Sequence, residues 1–411
     1  MRMRLAKWLT CFMLILMLNG CWSSTELNDL AISMGIAVDE EKDGQLLVSI
    51  QVVDAGEVSA TKGTLGRSPV VLYQAKGKTV SEAIQRMSTT SSRSIYNSHL
   101  RILVISEALA RNGINDVLDY ISRDRQFRTD FSVIIAKGGR AEDTLKILTP
   151  IEQIPAVQLF RSLANSQKEW APTVVINFDD LIQMMVSGGR QPVAPGIVVI
   201  GDADKGSKRS NITTSTPNNR LKYVGLAVFK EDQLIGWLNE TESRAFNFIR
   251  GNVINSISNL TCDDGKNISL EVQRTQSNMK TKLLKDKLSL SATLKVEANV
   301  AEVACQIQLT KEEEIMKLEK KTEKYLSNIM SNTLKRVQTE FKSDIFGFGN
   351  EVHRHYPDYW KKLNGEWNAQ FAQTPVTVQV DVKIRQLGTV SESMDRLEHE
   401  SSTKKGSENY K

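Results

Sequence analysis

Leu100-Arg-Ile-Leu-Val-Ile105 and Phe131-Ser-Val-Ile-Ile-Ala136 decide the fold. Both are short, nearly unbroken apolar runs, the pattern of a strand buried on both faces rather than one with a wet side. Between them Ser106 stands where a helix N-cap belongs. Leu109, Val117, Leu118 and Ile121 then follow helical spacing, with an internal turn at Asn112-Gly113. Gly138-Gly139 closes the second run. Strand, helix and strand make a βαβ unit.

Upstream, Ala31–Val38 and Leu46–Val53 read as strands joined by the charged turn Asp39 to Gly44. A Gly/Ser/Thr-rich loop covers 54–67, Val70–Ala75 is a further strand, and Val80, Ala83, Ile84 and Met87 mark a helix. Downstream, helices are expected over Ala141–Leu148, Val157–Ser166 and around Phe178–Met185, then a strand over Val193–Ile200. Residues 201–220 are polar, lack apolar periodicity and read as a linker. Beyond it, Leu221–Phe229 and Leu234–Leu238 form a hairpin pattern. A helix starts at Thr241 and carries Ala245, Phe246, Ile249, Val253 and Ile257 on one side. Ile268–Arg274, Leu288–Val300 and Glu302–Leu309 read as strands. Thr310 and Glu313 fit a capping box opening a long helix over 311–343. In Pro375–Leu387, Val376, Val378, Val380, Val382 and Ile384 alternate with polar residues, a half-buried strand of antiparallel type.

The fold class is therefore α+β, multi-domain, with mixed sheets carrying helices. The expected division is a leader over 1–20, an N-terminal region of one or two domains over 21–200 containing the βαβ unit, the linker 201–220, a C-terminal domain over 221–389 and a mobile tail over 390–411. A chain of 411 residues suits two or three domains after loss of a leader.

Arg2, Arg4 and Lys7 precede an apolar run from Trp8 to Leu18, too short to span a bilayer as a mature helix. Leu18-Asn19-Gly20-Cys21 then has the form of a lipobox, with Asn19 departing from the usual small or apolar residue. Lipidation of Cys21 would give two acyl chains, the dual anchor that stable attachment requires. The alternative is an ordinary secretory signal with a chance cysteine. Losing the three basic leader residues takes the net charge from +5 to +2. That balance argues against a nucleic-acid partner. Of 4 cysteines, Cys262 and Cys305 alone fall in the folded part. They either form a disulfide or stand as two separate buried thiols.

Catalytic constellations are hard to find. His353 and His355, two apart, diverge on a helix, and no Cys or third His lies nearby. Gly138-Gly139-Arg140 and Gly188-Gly189-Arg190 lack the spacing of phosphate loops and read as turns. Ser98, His99, Glu107 and Asp116 offer triad chemistry only if the fold gathers them. Tyr356, Tyr359, Trp360 and Trp367 form an aromatic cluster, suited either to a partner surface or to packing of a short helix. Asn211, Asn239 and Asn259 match the glycosylation pattern, incidental beside a bacterial lipobox. No enzyme activity, metal or cofactor is expected.

Cys21-Trp-Ser-Ser-Thr-Glu-Leu27 resembles the mature N-terminus of the Ger(x)C spore germination lipoproteins, C subunits of nutrient germinant receptors. Ile32–Asp39, Ser98–Arg111 and Phe131–Gly138 resemble the family's first strand, central strand–helix step and following strand. Asp344-Ile-Phe-Gly-Phe-Gly349, His353-Arg-His-Tyr-Pro357 and Trp360 resemble its C-terminal stretch. The resemblance implies a non-enzymatic lipoprotein of three α+β domains at the outer surface of the spore inner membrane. It would act with two integral membrane subunits, A and B, and be lipidated at Cys21. A solute-binding lipoprotein of a transport system is the alternative, and it calls for two similar lobes.

Overall fold

The computed structural model describes residues 4, 8, 26–54, 58, 68–305, 307–363 and 365–387. Cys21, most of the leader and the tail over 390–411 lie outside them. The described chain enters through β1 (Leu30–Glu40), β2 (Leu46–Val53) and β3 (Val70–Gly77), which pair antiparallel in sequence. In α1 (Val80–Arg86), Thr79 Oγ1 caps the first turn by accepting from Glu82 N at 3.1 Å. The short β4 (Ser94–Tyr96) and β5 (Ile102–Ser106) both run parallel to β1.

The quoted apolar runs are the centre of this sheet. β5 and β6 (Ser132–Ala136) pair in parallel, and every residue of both is buried. Ser106 Oγ accepts from Leu109 N at 3.4 Å, the expected cap. The one expected helix is two, α2 (Glu107–Asn112) and α3 (Asn115–Arg123). Gly113 separates them at φ +129°, a conformation open to glycine and strained for other residues. Next come α4 (Ala141–Lys146), α5 (Pro155–Glu169), α6 (Phe178–Val186) and β7 (Val193–Ile200), which joins β6 in parallel. Ile102, Val104, Ile134 and Ala136 share one core with Leu145, Ala156, Leu159 and Leu163 of α4 and α5. Leu103, Ile105, Val133 and Ile135 belong to the other, with Val117, Leu118 and Ile121 of α3. Helices cover both faces, which is why these strands are apolar throughout rather than alternating.

The expected linker does not interrupt the sheet. It holds the short α7 (Ala203–Gly206) and the buried Asn211, whose Nδ2 donates to Leu148 O at 3.0 Å and Asn219 O at 2.9 Å. Beyond it β8 (Arg220–Lys230) pairs antiparallel with β7, and β9 (Gln233–Leu238) with β8. Among the described residues the order is β3-β2-β1-β5-β6-β7-β8-β9, with β4 beside β1. Polar composition marks 201–220 as exposed chain; it does not reveal that the two strands it joins are neighbours.

The second sheet has a different plan. Asn239 and Glu242 cap α8 (Glu240–Arg250) reciprocally. That helix stops well short of Ile257: Gly251 ends it at φ +73°, and Ile257 opens β10 (Ile257–Thr261). β11 (Asn267–Leu284) and β12 (Lys287–Val303) form one long hairpin. Glu302 and Val303 end β12 and do not begin a separate strand. The long helix α9 (Glu312–Arg336) has Lys311, not Thr310, at its N-cap. Its expected continuation to 343 is a wider π-helical turn, Val337–Phe341, closed by Lys342 at φ +48°. Three short helices follow, α10 (Phe348–His355), α11 (Pro357–Leu363) and α12 (Trp367–Gln373). The last strand, β13 (Val376–Gln386), runs parallel to β12, which corrects the antiparallel pairing expected from its alternation. The alternation reports a wet face, and a parallel strand has one when helices cover a single side. Here Leu318, Leu326, Met330 and Leu334 of α9 share a core with Leu290, Leu294, Val296 and Val382. No described helix is long and apolar enough to cross a membrane.

Candidate functional site

The strongest sequence-based site, Cys21, lies outside the described residues. Cys262 and Cys305 are joined as a disulfide with Cα atoms 6.2 Å apart. With Asp264 they form a group whose ligand atoms lie within 4.8 Å of one another. Sulfurs bonded to each other are not the thiolates that bind zinc.

The triad candidates have separate engagements. Ser98 Oγ donates to Gln126 O at 2.7 Å, and His99 lies against Tyr96 with ring centroids 6.0 Å apart. Glu107 accepts from Gly138 N at 2.9 Å and Trp237 Nε1 at 3.0 Å. His353 and His355 diverge on α10: the first stacks on Trp360 at 5.2 Å, and the second has Nδ1 2.9 Å from Glu351 O. The aromatic cluster continues from Trp360 to Trp367 at 5.7 Å and from Trp367 to Phe371 at 6.2 Å. Trp367 is fully buried, so this end of the row is packing.

The row leads to a polar centre built around Asp344. Its side chain is fully buried. Oδ1 accepts from Phe346 N at 3.0 Å and Gly347 N at 2.9 Å. Oδ2 accepts from Gly349 N at 2.8 Å and Trp367 Nε1 at 2.9 Å. The backbone of Asp344 reaches both halves of the chain: its N–H donates to Asn368 Oδ1 at 3.1 Å, and its carbonyl accepts from Gln191 N at 2.7 Å. Ser343 Oγ donates to Phe229 O of β8 at 2.9 Å. Gly347 holds φ +90°, and a Cβ on Gly349 would press on the Gly189 backbone and the Trp367 ring. The glycines let the loop wrap its own carboxylate. Burial pushes the Asp344 carboxyl above the ordinary carboxylate range, against the four N–H donors that favour its charged form.

The Gly188-Gly189-Arg190 turn docks on this loop. Arg190 Nε donates to Ile345 O at 3.0 Å, and Arg250 Nη1 of α8 donates to Phe346 O at 2.8 Å. Among the described residues neither guanidinium has an ion-pair partner. Burial lowers Arg190 to about 9, with Arg250 adding to the effect and Asp344 and Asp180 opposing it. Burial lowers Arg250 as well, against Asp344 and Glu351. Both arginines line a cavity of about 500 Å³ with Val174, Ile176, Met184 and Asn252. Sequence reasoning reads the Gly-Gly-Arg motif as a turn and misses Asp344, Arg190 and Arg250 as a group. The available signal was a carboxylate with glycines three and five residues on, the spacing that lets backbone N–H groups turn back onto it.

Residues 23–199 match the family described as spore germination protein N-terminal domain, and residues 224–388 match spore germination B3/GerAC like, C-terminal. Spore germination protein KC of Bacillus subtilis (strain 168) is 30% identical over 381 residues, covering 91% of this chain and 93% of that protein. Spore germination protein B3 of the same organism is 25% identical over 392 residues, covering 94% and 98%. The crystal structure of the GerBC protein matches with a TM-score of 0.54 at 20% identity, over 88% of this chain and 99% of that one, a likeness of fold.

Proposed function

Because the chain belongs to the GerAC-like (Ger(x)C) spore germination family, we propose that it is a non-catalytic subunit of a spore nutrient germinant receptor, anchored by lipid at Cys21. Its partners in this reading are the integral membrane A and B subunits, and its place is the outer surface of the spore inner membrane. The observation that carries the reading is the similarity to spore germination protein KC along nearly the whole of both chains. The basic, apolar, Gly20-Cys21 pattern supports the anchor, since two acyl chains would hold a protein none of whose described helices is long and apolar enough to cross a membrane. Separate structural engagements of Ser98, His99, Glu107 and both C-terminal histidines support a role without catalysis. The transport alternative gains no support: the two sheets differ in order and size, where two similar lobes are required.

The domain division fits the same picture. We place one unit over 21–200 and the other over 221–389, the second lending β8 and β9 to the first sheet across the 201–220 connection. Cys262–Cys305 pairing suits an exported chain, outside the reducing cytoplasm. Deleting the gene should abolish the germination response to one nutrient class and leave other responses working. Normal germination with every nutrient would remove the receptor reading.

A further inference from the structure

We propose that the cavity between α5, α6 and α8 binds a small organic carboxylate, its head held between Arg190 and Arg250 and its apolar body lying on Val174, Ile176 and Met184. Two like charges, Arg190 and Arg250, line this one cavity and act on each other. Both arginines are half-buried, and charges drawn out of water are normally paired, because desolvation without compensation is costly. Each guanidinium here has one backbone acceptor, Ile345 O or Phe346 O, and no carboxylate partner among the described residues. Asp344 is close enough to be felt electrostatically, yet both of its oxygens are occupied by N–H groups and tryptophan. Asp180 also lines the cavity, where its Oδ2 accepts from Asn177 N at 3.3 Å. Bracing the Asp344 loop accounts for one N–H of each arginine. The remaining donors form forks whose natural complement is a planar oxyanion.

The walls narrow the class. Phosphate would satisfy the guanidinium groups and leave the apolar side uncovered. A carboxylate with an aliphatic body uses both, in a cavity of about 500 Å³, the size of an ordinary small-molecule site. Ile254, 56% exposed, stands on the rim. This assignment concerns binding by the isolated chain, so it stands or falls separately from the receptor reading.

The test is calorimetric titration of the full-length chain, purified in detergent, with acetate, butyrate, hexanoate and inorganic phosphate. Saturable carboxylate binding is expected, with affinity rising up to about four-fold per buried methylene. Arg250→Gln and Arg190→Gln should each weaken binding roughly ten-fold or more. Those arginines also brace a loop, so Ile254→Asp provides the control: it places a like charge beside the ligand from an exposed position. It should weaken carboxylate binding without moving the thermal unfolding transition. The proposal is overturned by absence of saturable carboxylate binding at millimolar concentration. Phosphate binding with no gain along the carboxylate series would overturn it too, as would affinity unchanged in both Ile254→Asp and Arg250→Gln.

Discussion

The two sheets of this protein hide their strands differently. β5 and β6 are buried on both faces between helices, whereas β12 and β13 are covered by α9 and its neighbours on one face only. On the other face of the second sheet Thr293 is partly exposed, and Lys295, Gln379 and Asp381 are exposed. At β5 and β6 the first sheet has no face left to offer a partner, whereas β12 and β13 keep a polar one. Between them the Asp344 loop bonds to Gln191 and Phe229 on one side and to Trp367 and Asn368 on the other. A subunit built this way has a half with strands packed on both faces, a half with an open surface, and a buried polar clasp that bonds to both.

The largest expected effect breaks the clasp. Asp344→Ala removes the acceptor of four buried N–H groups and should cost about 3–5 kcal/mol in urea unfolding, since each orphaned buried donor is itself expensive. A cost below about 1 kcal/mol would mean that the halves are held together elsewhere. Next, paired substitutions sharpen the contrast between sheets. Ile134→Ala, between two helical layers, should cost about 2–5 kcal/mol. Thr293→Ala, on the wet face, should stay within about 0.5 kcal/mol. Equal losses would erase the distinction.

The smallest effect concerns an ion-pair cluster at the edge of the first sheet. Glu41 accepts from Lys76 at 2.8 Å and from Arg140 at 2.6 Å, and these partners pull its carboxyl down to about 2 from an ordinary 4.5. A depressed folded-state pKa contributes stability above the unfolded value that is lost as pH falls through the folded one. Glu41→Gln should therefore be destabilising at neutral pH, by at most about 1 kcal/mol because the cluster is open to solvent. The difference from the parent chain should shrink between pH 4.5 and about 2. A gap that persists at the acid end would assign it to packing and not to charge.

Legibility in the sequence follows the same contrast. β5 and β6 were readable because burial on both faces leaves an uninterrupted apolar run. The outer half of β11, from Gln276 to Leu284, was not, because its polar residues gave no sign that the hairpin runs on. The parallel pairing of β13 was hidden for a related reason: alternation records which face is wet and says nothing about strand direction. Gly113 and Gly251 ended helices that apolar spacing alone would have continued. The Asp344 centre was least legible. Arg190, Arg250 and Asp344 are separated by 60 to 154 residues, and only the fold makes them neighbours. The proposed lipid site, Cys21, sits at the opposite extreme, because the pattern that suggests it is contiguous in sequence.

Whether lipid at Cys21 holds the protein in place is read out by Cys21→Ala in spores, measuring the fraction of the protein in the inner membrane together with nutrient-triggered germination. Loss of the lipid, release from the membrane fraction and a reduced germination response are expected. A variant that stayed membrane-bound and germinated normally would contradict this, leaving protein–protein contacts as the sole attachment.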